Sequence, residues 1–481
     1  MHTDPLRFIH GLSPSDIPAD VLQGAKRSLL DLLGVAAGGL GTQLSRIIRD
    51  HAALDMPGTT PLLFDARHAN PAAAAMAAGM TIDSLDGHDG FNPAKGHIGC
   101  PLLPAMLALA PETCSGAEFL ATMVMGYEMG ARMAMAQHAT APDYHTSGSW
   151  GAVAGAAAGA RLLGLGHQAT RHALGIAEYH GPRSQMMRCI DFPTNLKDGS
   201  GWGALCGVSA VQLARRGFTG APAITVEDAP AYWADLGTRW YMLEQYFKPY
   251  PVCRWAQAPI EAVLSLRRQH GLKAGDVAAI EIETFHESVR LHVQNPQGTD
   301  AAQYSTSFPC ALALVYGDVQ AQHLSDDAIA NPAVLRLSNA TTMVENAHAN
   351  AEFPLTRLAR VRLQRTDGSW LQSGWHTPRW DYQDPPTDAD LRAKFDGFAT
   401  PVLGARKAAD LAQVDGVVIG GGDDIAPTLY KGQIMPEVRL DPDRDALEAD
   451  IVRQATQQDV PLLGICRGAQ MLNVARGVTL G

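Results

Sequence analysis

The sequence has no excess of basic residues: 38 Lys and Arg stand against 49 Asp and Glu, a formal net charge of −11. That balance argues against a nucleic-acid surface, which would need a clustered basic patch. Long apolar runs are also missing. "PLLPAMLALAP" and "GAVAGAAAGARLLGLG" are too short or too glycine-rich to span a bilayer, so no membrane is expected as a partner. "MHTDPLRFIHGLSPSDIP" lacks a basic start followed by an apolar run, and no targeting segment is predicted. No Cys-x-x-Cys or His-x-x-x-His pair offers metal-ligand spacing, so no metal is expected. The seven cysteines form no framework and predict reduced thiols in a cytoplasmic protein.

What is present is a globular chain of 481 residues, 46% hydrophobic and 18% charged, long enough for two or three domains. The first half reads as helices. "PADVLQGAKRSLLDLLGVAAGG" puts Val21, Ala25, Leu29, Leu32 and Leu33 on one face and ends at Gly38-Gly39. "NPAAAAMAAGMTI", "SWGAVAGAAAGARLLGL" and "GALCGVSAVQLARRG" carry Ala and Gly faces, which let helices approach closely. The pattern changes near Leu272. "VAAIEIETFHE" alternates like a strand, and "ARVRLQRTDGSWLQSGW" reads as a hairpin turning at Asp367-Gly368. Residues 273–382 are expected to form a smaller α+β domain. "PPTDADLRAKFDGFA" restarts a helix with Thr387 as its N-cap. From Val414 the sequence turns to strand, glycine turn and helix, the grammar of an α/β fold.

Four segments carry candidate chemistry. "SLDGHDGFNPAKGHIG" places Asp86, His88, Asp89, Lys95 and His97 on a glycine loop between apolar helices, and an imidazole beside a carboxylate moves protons at neutral pH. "YHTSGSWGAVAG" sets His145 and three hydroxyls before a helix, where ordinary N-capping explains the hydroxyls best. In "NLKDGSGWGALCG", Lys197 precedes the glycines, so the segment is no phosphate loop and suits a small carboxylate. In "YFKPYPVCRWAQAP", Lys248 and Arg254 bracket two prolines that stiffen the backbone, and Cys253 reads as a buried small hydrophobe.

Over residues 2–412 these motifs, together with "DLRAKFDGFATPVLG", resemble the MmgE/PrpD family of dehydratases, decarboxylases and epimerases. The resemblance implies a mainly α protein, with a large all-helical domain (1–272, completed by 383–413) and an α+β lid (273–382). It also implies a homodimer, no cofactor, and a small di- or tricarboxylate substrate. Carried over by that resemblance, catalytic roles fall on Asp86, His97 and His145 and substrate binding on Lys197 and Lys248; Arg254, which can offer a bidentate fork, and His88 are added as substrate-binding candidates from their own chemistry. The expected function is a lyase or isomerase that moves a proton next to a carboxylate. Four positions depart from the family pattern. His88 stands in place of a carboxylate, Gly90 in place of a hydroxyl, Gln257 in place of a histidine, and Phe308 in place of a phenol. The last three motivate the alternative of a catalytically silent carboxylate-binding or scaffold protein.

The tail, 414–481, resembles the gamma-glutamyl-gamma-aminobutyrate hydrolase group of class I glutamine amidotransferase-like proteins (peptidase C26). It is expected to be a partial α/β, flavodoxin-like fragment. Cys466 stands at the nucleophile position. No histidine follows His376, and a thiol nucleophile needs a base, so Cys466 is expected to be vestigial.

Overall fold

In the computed structural model, residues 4–141, 143–325 and 328–403 are described, together with short pieces of the tail between 417 and 475. The chain is mostly helical. Ten α-helices among the described residues, from Pro5–Gly11 to Ser200–Arg215, build the body, and the helix Asp388–Leu403 returns to pack on Ala19–Gly39. Thr387 caps that closing helix as expected: its Oγ1 accepts from Asp390 N at 3.1 Å while Asp390 Oδ2 accepts from Thr387 N at 2.9 Å.

The small-residue faces act as the sequence suggests. A Cβ at Gly203 would come within 2.6 Å of the Gly148 carbonyl oxygen, and one at Gly207 equally close to that of Ala152. Helices Gly148–Leu162 and Ser200–Arg215 therefore touch backbone to backbone. One continuous apolar core fills the body, from Ile9 through Leu102 and Trp150 to Phe395. Each large side chain enclosed there contributes about 1.5–3 kcal/mol.

The second core lies under a four-stranded sheet ordered Thr341–Glu345, Val277–Thr284, Ala359–Arg365, Trp370–Gln372. The first pair is parallel and the other two are antiparallel. Ile280, Ile282, Val361 and Leu363 point to the buried face, against Ile260 and Val263 of helix Arg254–His270 and Leu312 of helix Ser307–Tyr316. On alternate positions Arg360 and Arg362 pair with Glu283 and Glu281. The hairpin turns where expected, with Gly368 at φ 85°.

In the tail, Val417–Ile419 pairs in parallel with Leu462–Gly464. Cys466 lies outside the described residues. Among the described residues no helix is long and apolar enough to cross a membrane.

Candidate active site

The loop 84–98 links the helices Pro71–Asp83 and Gly99–Leu109. Asp86 and Lys95 hold left-handed backbone without being glycine, at φ 45° and 53°. Lys197, in the other glycine-rich turn, does the same at φ 50°. Such conformations cost about 1–3 kcal/mol each, and they gather where the chain aims side chains at a site.

Within the loop, Gly90–Phe91 pairs antiparallel with Gln245–Tyr246. This short ladder carries Lys248 across to Asp86. Its Nζ lies 2.5 Å from Asp86 Oδ1 and donates to the Asp86 carbonyl oxygen at 2.7 Å. Burial alone would raise the carboxyl and lower the ammonium, but each partner overrides it for the other. Asp86 is held below the ordinary carboxylate range and Lys248 above the ordinary amine range. The pair is ionised and buried.

His97 faces this pair. Its Nδ1 lies 2.6 Å from the Asp89 carbonyl oxygen. A carbonyl only accepts, so Nδ1 carries the proton and Nε2 of the neutral ring holds the lone pair. Burial, then the Lys248 charge, pushes the His97 pKa well below its usual value, which keeps the ring neutral near pH 7. Nε2 is 3.7 Å from Asp86 Oδ1, beyond hydrogen-bond reach, so the lone pair is available to a substrate.

The hydroxyl motif before helix Gly148–Leu162 serves His97 rather than capping. Ser147 Oγ makes no cap hydrogen bond to its own helix. It accepts from His97 N at 2.8 Å and donates to Asp198. Trp150 Nε1 donates to the His97 carbonyl oxygen at 2.9 Å. The backbone of His97 is thus clamped on both sides.

These groups open on a narrow, partly enclosed cleft. Asp86, His97 and Arg254 line it together with Lys95, Tyr144, Asp198, Tyr246, Tyr304 and Arg357. Arg254 lies 3.9 Å over the Tyr246 ring and donates to Asp381 Oδ2 at 2.6 Å. Burial lowers its pKa to about 10. Cys253 also lines the cleft, and burial pushes its thiol up to about 12, which leaves it unreactive.

Four residues expected at the site are not on the cleft lining. Lys248 sits behind Asp86. His88 is enclosed behind His97, edge to face at 4.3 Å, and burial with the Lys248 charge lowers it to about 3. A neutral, enclosed ring holds no substrate carboxylate. Lys197 is turned to Gln303 and to Asp300 Oδ1 at 3.2 Å, beneath the Tyr304 ring. His145 yields the lining position to its neighbour Tyr144, and its buried Nδ1 has no hydrogen-bond partner among the described residues.

The departures at Gly90, Gln257 and Phe308 have local reasons. A Cβ at Gly90 would collide with the Tyr246 phenol and the His97 ring, so Tyr246 places a hydroxyl where a side chain at position 90 would lie. Gln257 donates to the Tyr250 and Val252 carbonyl oxygens at 3.0 and 2.9 Å. Phe308 packs fully buried in the second core.

Asp86, His88 and His97 bring three ligand atoms within 4.8 Å, a spacing that could hold a metal ion. The ammonium of Lys248 already occupies the Asp86 carboxylate at 2.5 Å and would repel a second cation there. The donor set suits the lysine better than a metal.

A model of the MmgE/PrpD N-terminal domain matches residues 6–234, and one of the C-terminal domain matches residues 250–418. The chain belongs to the MmgE/PrpD family. Its relatives include a cis-aconitate decarboxylase-like protein of Aspergillus oryzae, 26% identical over 83% of this chain and 90% of that protein. A cis-aconitate decarboxylase of Aspergillus terreus is 24% identical over 87% of this chain and 93% of its own length. Residues 400–481 match the Peptidase C26 model. A glutamine amidotransferase-like protein of Rickettsia prowazekii is 42% identical over 22% of the MmgE/PrpD chain and 37% of its own. The tail region therefore spans little more than a third of that relative.

Proposed function

We propose that this protein is a lyase that acts on a small di- or tricarboxylate at a carbon next to a carboxylate, without a cofactor. The observation that carries the reading is the neutral His97, its Nε2 lone pair facing a cleft that also holds Arg254 and Arg357. The arginines neutralise substrate carboxylates and stabilise the enediolate-like charge that develops. His97 Nε2 takes the proton as the C–H bond breaks and its electron pair enters the enediolate. In loss of CO2 the C–C electron pair plays that part, CO2 leaves, and a proton drawn from solvent water and relayed through His97 Nε2 ends on carbon. The names of the relatives favour cis-aconitate as the first substrate to test.

The domain division at 273 and 382 is part of this proposal. It is supported by two separate apolar cores that flank the cleft residues. A homodimer is proposed on the apolar surface of Ile47, Leu196 and Trp202, each about half exposed or more. The tail is proposed to be a hydrolase-like fragment of flavodoxin-like type, supported by its match to the Peptidase C26 model over residues 400–481.

A second reading, a silent carboxylate-binding protein, is favoured by Gly90, Gln257 and Phe308, which have become structural. Turnover separates the two. The purified chain is offered cis-aconitate, methylcitrate and iminodisuccinate in D2O, and products are read by NMR. Expected is conversion of at least one acid with deuterium at the carbon next to a carboxylate, unchanged by Cys466→Ala. Binding without conversion by the folded protein establishes the silent reading instead.

A further inference from the structure

We propose that Arg357, with Lys95 beside it, is the seat for an additional carboxylate of the substrate, one that the acid–base cluster does not hold. The inference rests on the carboxylate reading above and specifies how many carboxylates the cleft accommodates. Arg357 is 3% exposed and lines the cleft. Its Nη1 is anchored, donating to Asn92 Oδ1 at 2.6 Å and to the Pro354 carbonyl oxygen. The other edge of the guanidinium is open. Nε is buried with no hydrogen-bond partner among the described residues, and Nη2 reaches only the Asn92 carbonyl oxygen at 3.5 Å.

Nε and Nη2 are the parallel donors that hold a carboxylate by two hydrogen bonds. The same edge is filled elsewhere in this chain, where Arg171 holds both oxygens of Glu227 at 2.8 Å. In Arg357 the fork is oriented and enclosed, and no acidic side chain among the described residues fills it. A buried charged donor left unpaired is costly, which is the expected state of a site awaiting an anion.

Lys95 adds to the same field. It lines the cleft in left-handed backbone, with Nζ 4.4 Å over the Tyr144 ring. It has no carboxylate within ion-pair distance among the described residues. The Arg357 charge helps to depress the Lys95 ammonium, after burial and partly offset by Glu287, so the two cations feel each other. By contrast Arg254 already spends its Nη2 on Asp381. The unneutralised positive charge of the cleft therefore lies on Arg357 and Lys95.

The test is direct binding, which needs no turnover. Calorimetry on the full chain compares tricarballylate, an inert tricarboxylate, with glutarate, which has one carboxylate fewer. Arg357→Gln is expected to weaken tricarballylate at least about tenfold and glutarate less than about threefold. Arg357→Lys keeps a charge but loses the fork, and is expected to fall between Gln and wild type. Lys95→Met, at a half-buried position, carries the same test if the Arg357 variants fail to fold, with a smaller selective loss for tricarballylate. Equal losses for both acids, or none in any folded variant, overturn the assignment and leave the carboxylate reading standing. If wild type binds neither acid, the carboxylate reading itself falls.

Discussion

The cleft brings together two groups of charges that are settled in opposite ways. Around His97 both buried lysines have a carboxylate: Lys248 is tied to Asp86, and below it Lys394 joins Asp31 and donates to the Gly87 carbonyl oxygen at 2.6 Å. Around Arg357 the charge is left open. Tyr246 stands between them, with its ring under Arg254 and its phenol against the Gly90 position. A closed ion pair sets the pKa values of its neighbours and holds its geometry without help. An open cation needs a ligand to complete it. On the proposed function, the difference makes the first group machinery and the second a receptor.

Breaking the closed pair should give the largest effect. Lys248→Ala leaves the Asp86 carboxylate buried and alone, and an uncompensated buried charge costs about 3–5 kcal/mol. Denaturant unfolding checks this. A stability loss below 1 kcal/mol, on the order of an exposed pair, would mean that water reaches the pair and that it is not closed.

His97→Gln removes the base but keeps the loop, since the clamps from Ser147 and Trp150 act on its backbone. Once a substrate is found, kcat should fall at least about a hundredfold with the unfolding midpoint nearly unchanged. Full activity in the folded variant would reassign the base.

The smallest effect is read on His88 by pH. Burial, then Lys248, lowers the His88 pKa to about 3, so the folded protein keeps it neutral while the unfolded chain protonates it below about 6.5. A group depressed in this way draws the protein toward the unfolded state as pH falls from 6.5 to about 3. Its contribution is about 1.4 kcal/mol per pH unit in that window. Buried Asp89, raised to about 7 by burial and then by Asp31, contributes with the opposite sign. The difference between wild type and His88→Gln isolates the histidine. Stability of His88→Gln relative to wild type should therefore rise on acidification from pH 6 to pH 4. A constant difference would show that His88 titrates normally.

Much of the architecture was legible in the sequence, for local reasons. The Ala and Gly faces that read as close-approach surfaces are the backbone contacts of helices Gly148–Leu162 and Ser200–Arg215. Thr387 and Asp367-Gly368 mark their cap and turn because capping and hairpin chemistry act within four residues. At the site, Asp86, His97 and Arg254 were legible as ionisable residues in rigid or glycine-rich segments. Tyr144, Asp198 and Tyr246 were not, although each adjoins a motif residue. A lone tyrosine beside a motif carries no pattern of its own. Arg357 lies in a stretch that reads only as the approach to a strand.

By itself the sequence determined the elements, the helical class, the glycine loop and the chemical types available to the site. Those are consequences of propensity, periodicity and short-range hydrogen bonding, which a few neighbouring residues decide. Only the tertiary structure decided which charges meet. It joined Lys248 to Asp86 across 162 positions of chain, turned Lys197 to Asp300, and enclosed His88. It also left Arg357 with an open fork. Burial and pairing over long sequence separations set those outcomes. The energy of a charge depends on what surrounds it in space, and the order of residues does not state that.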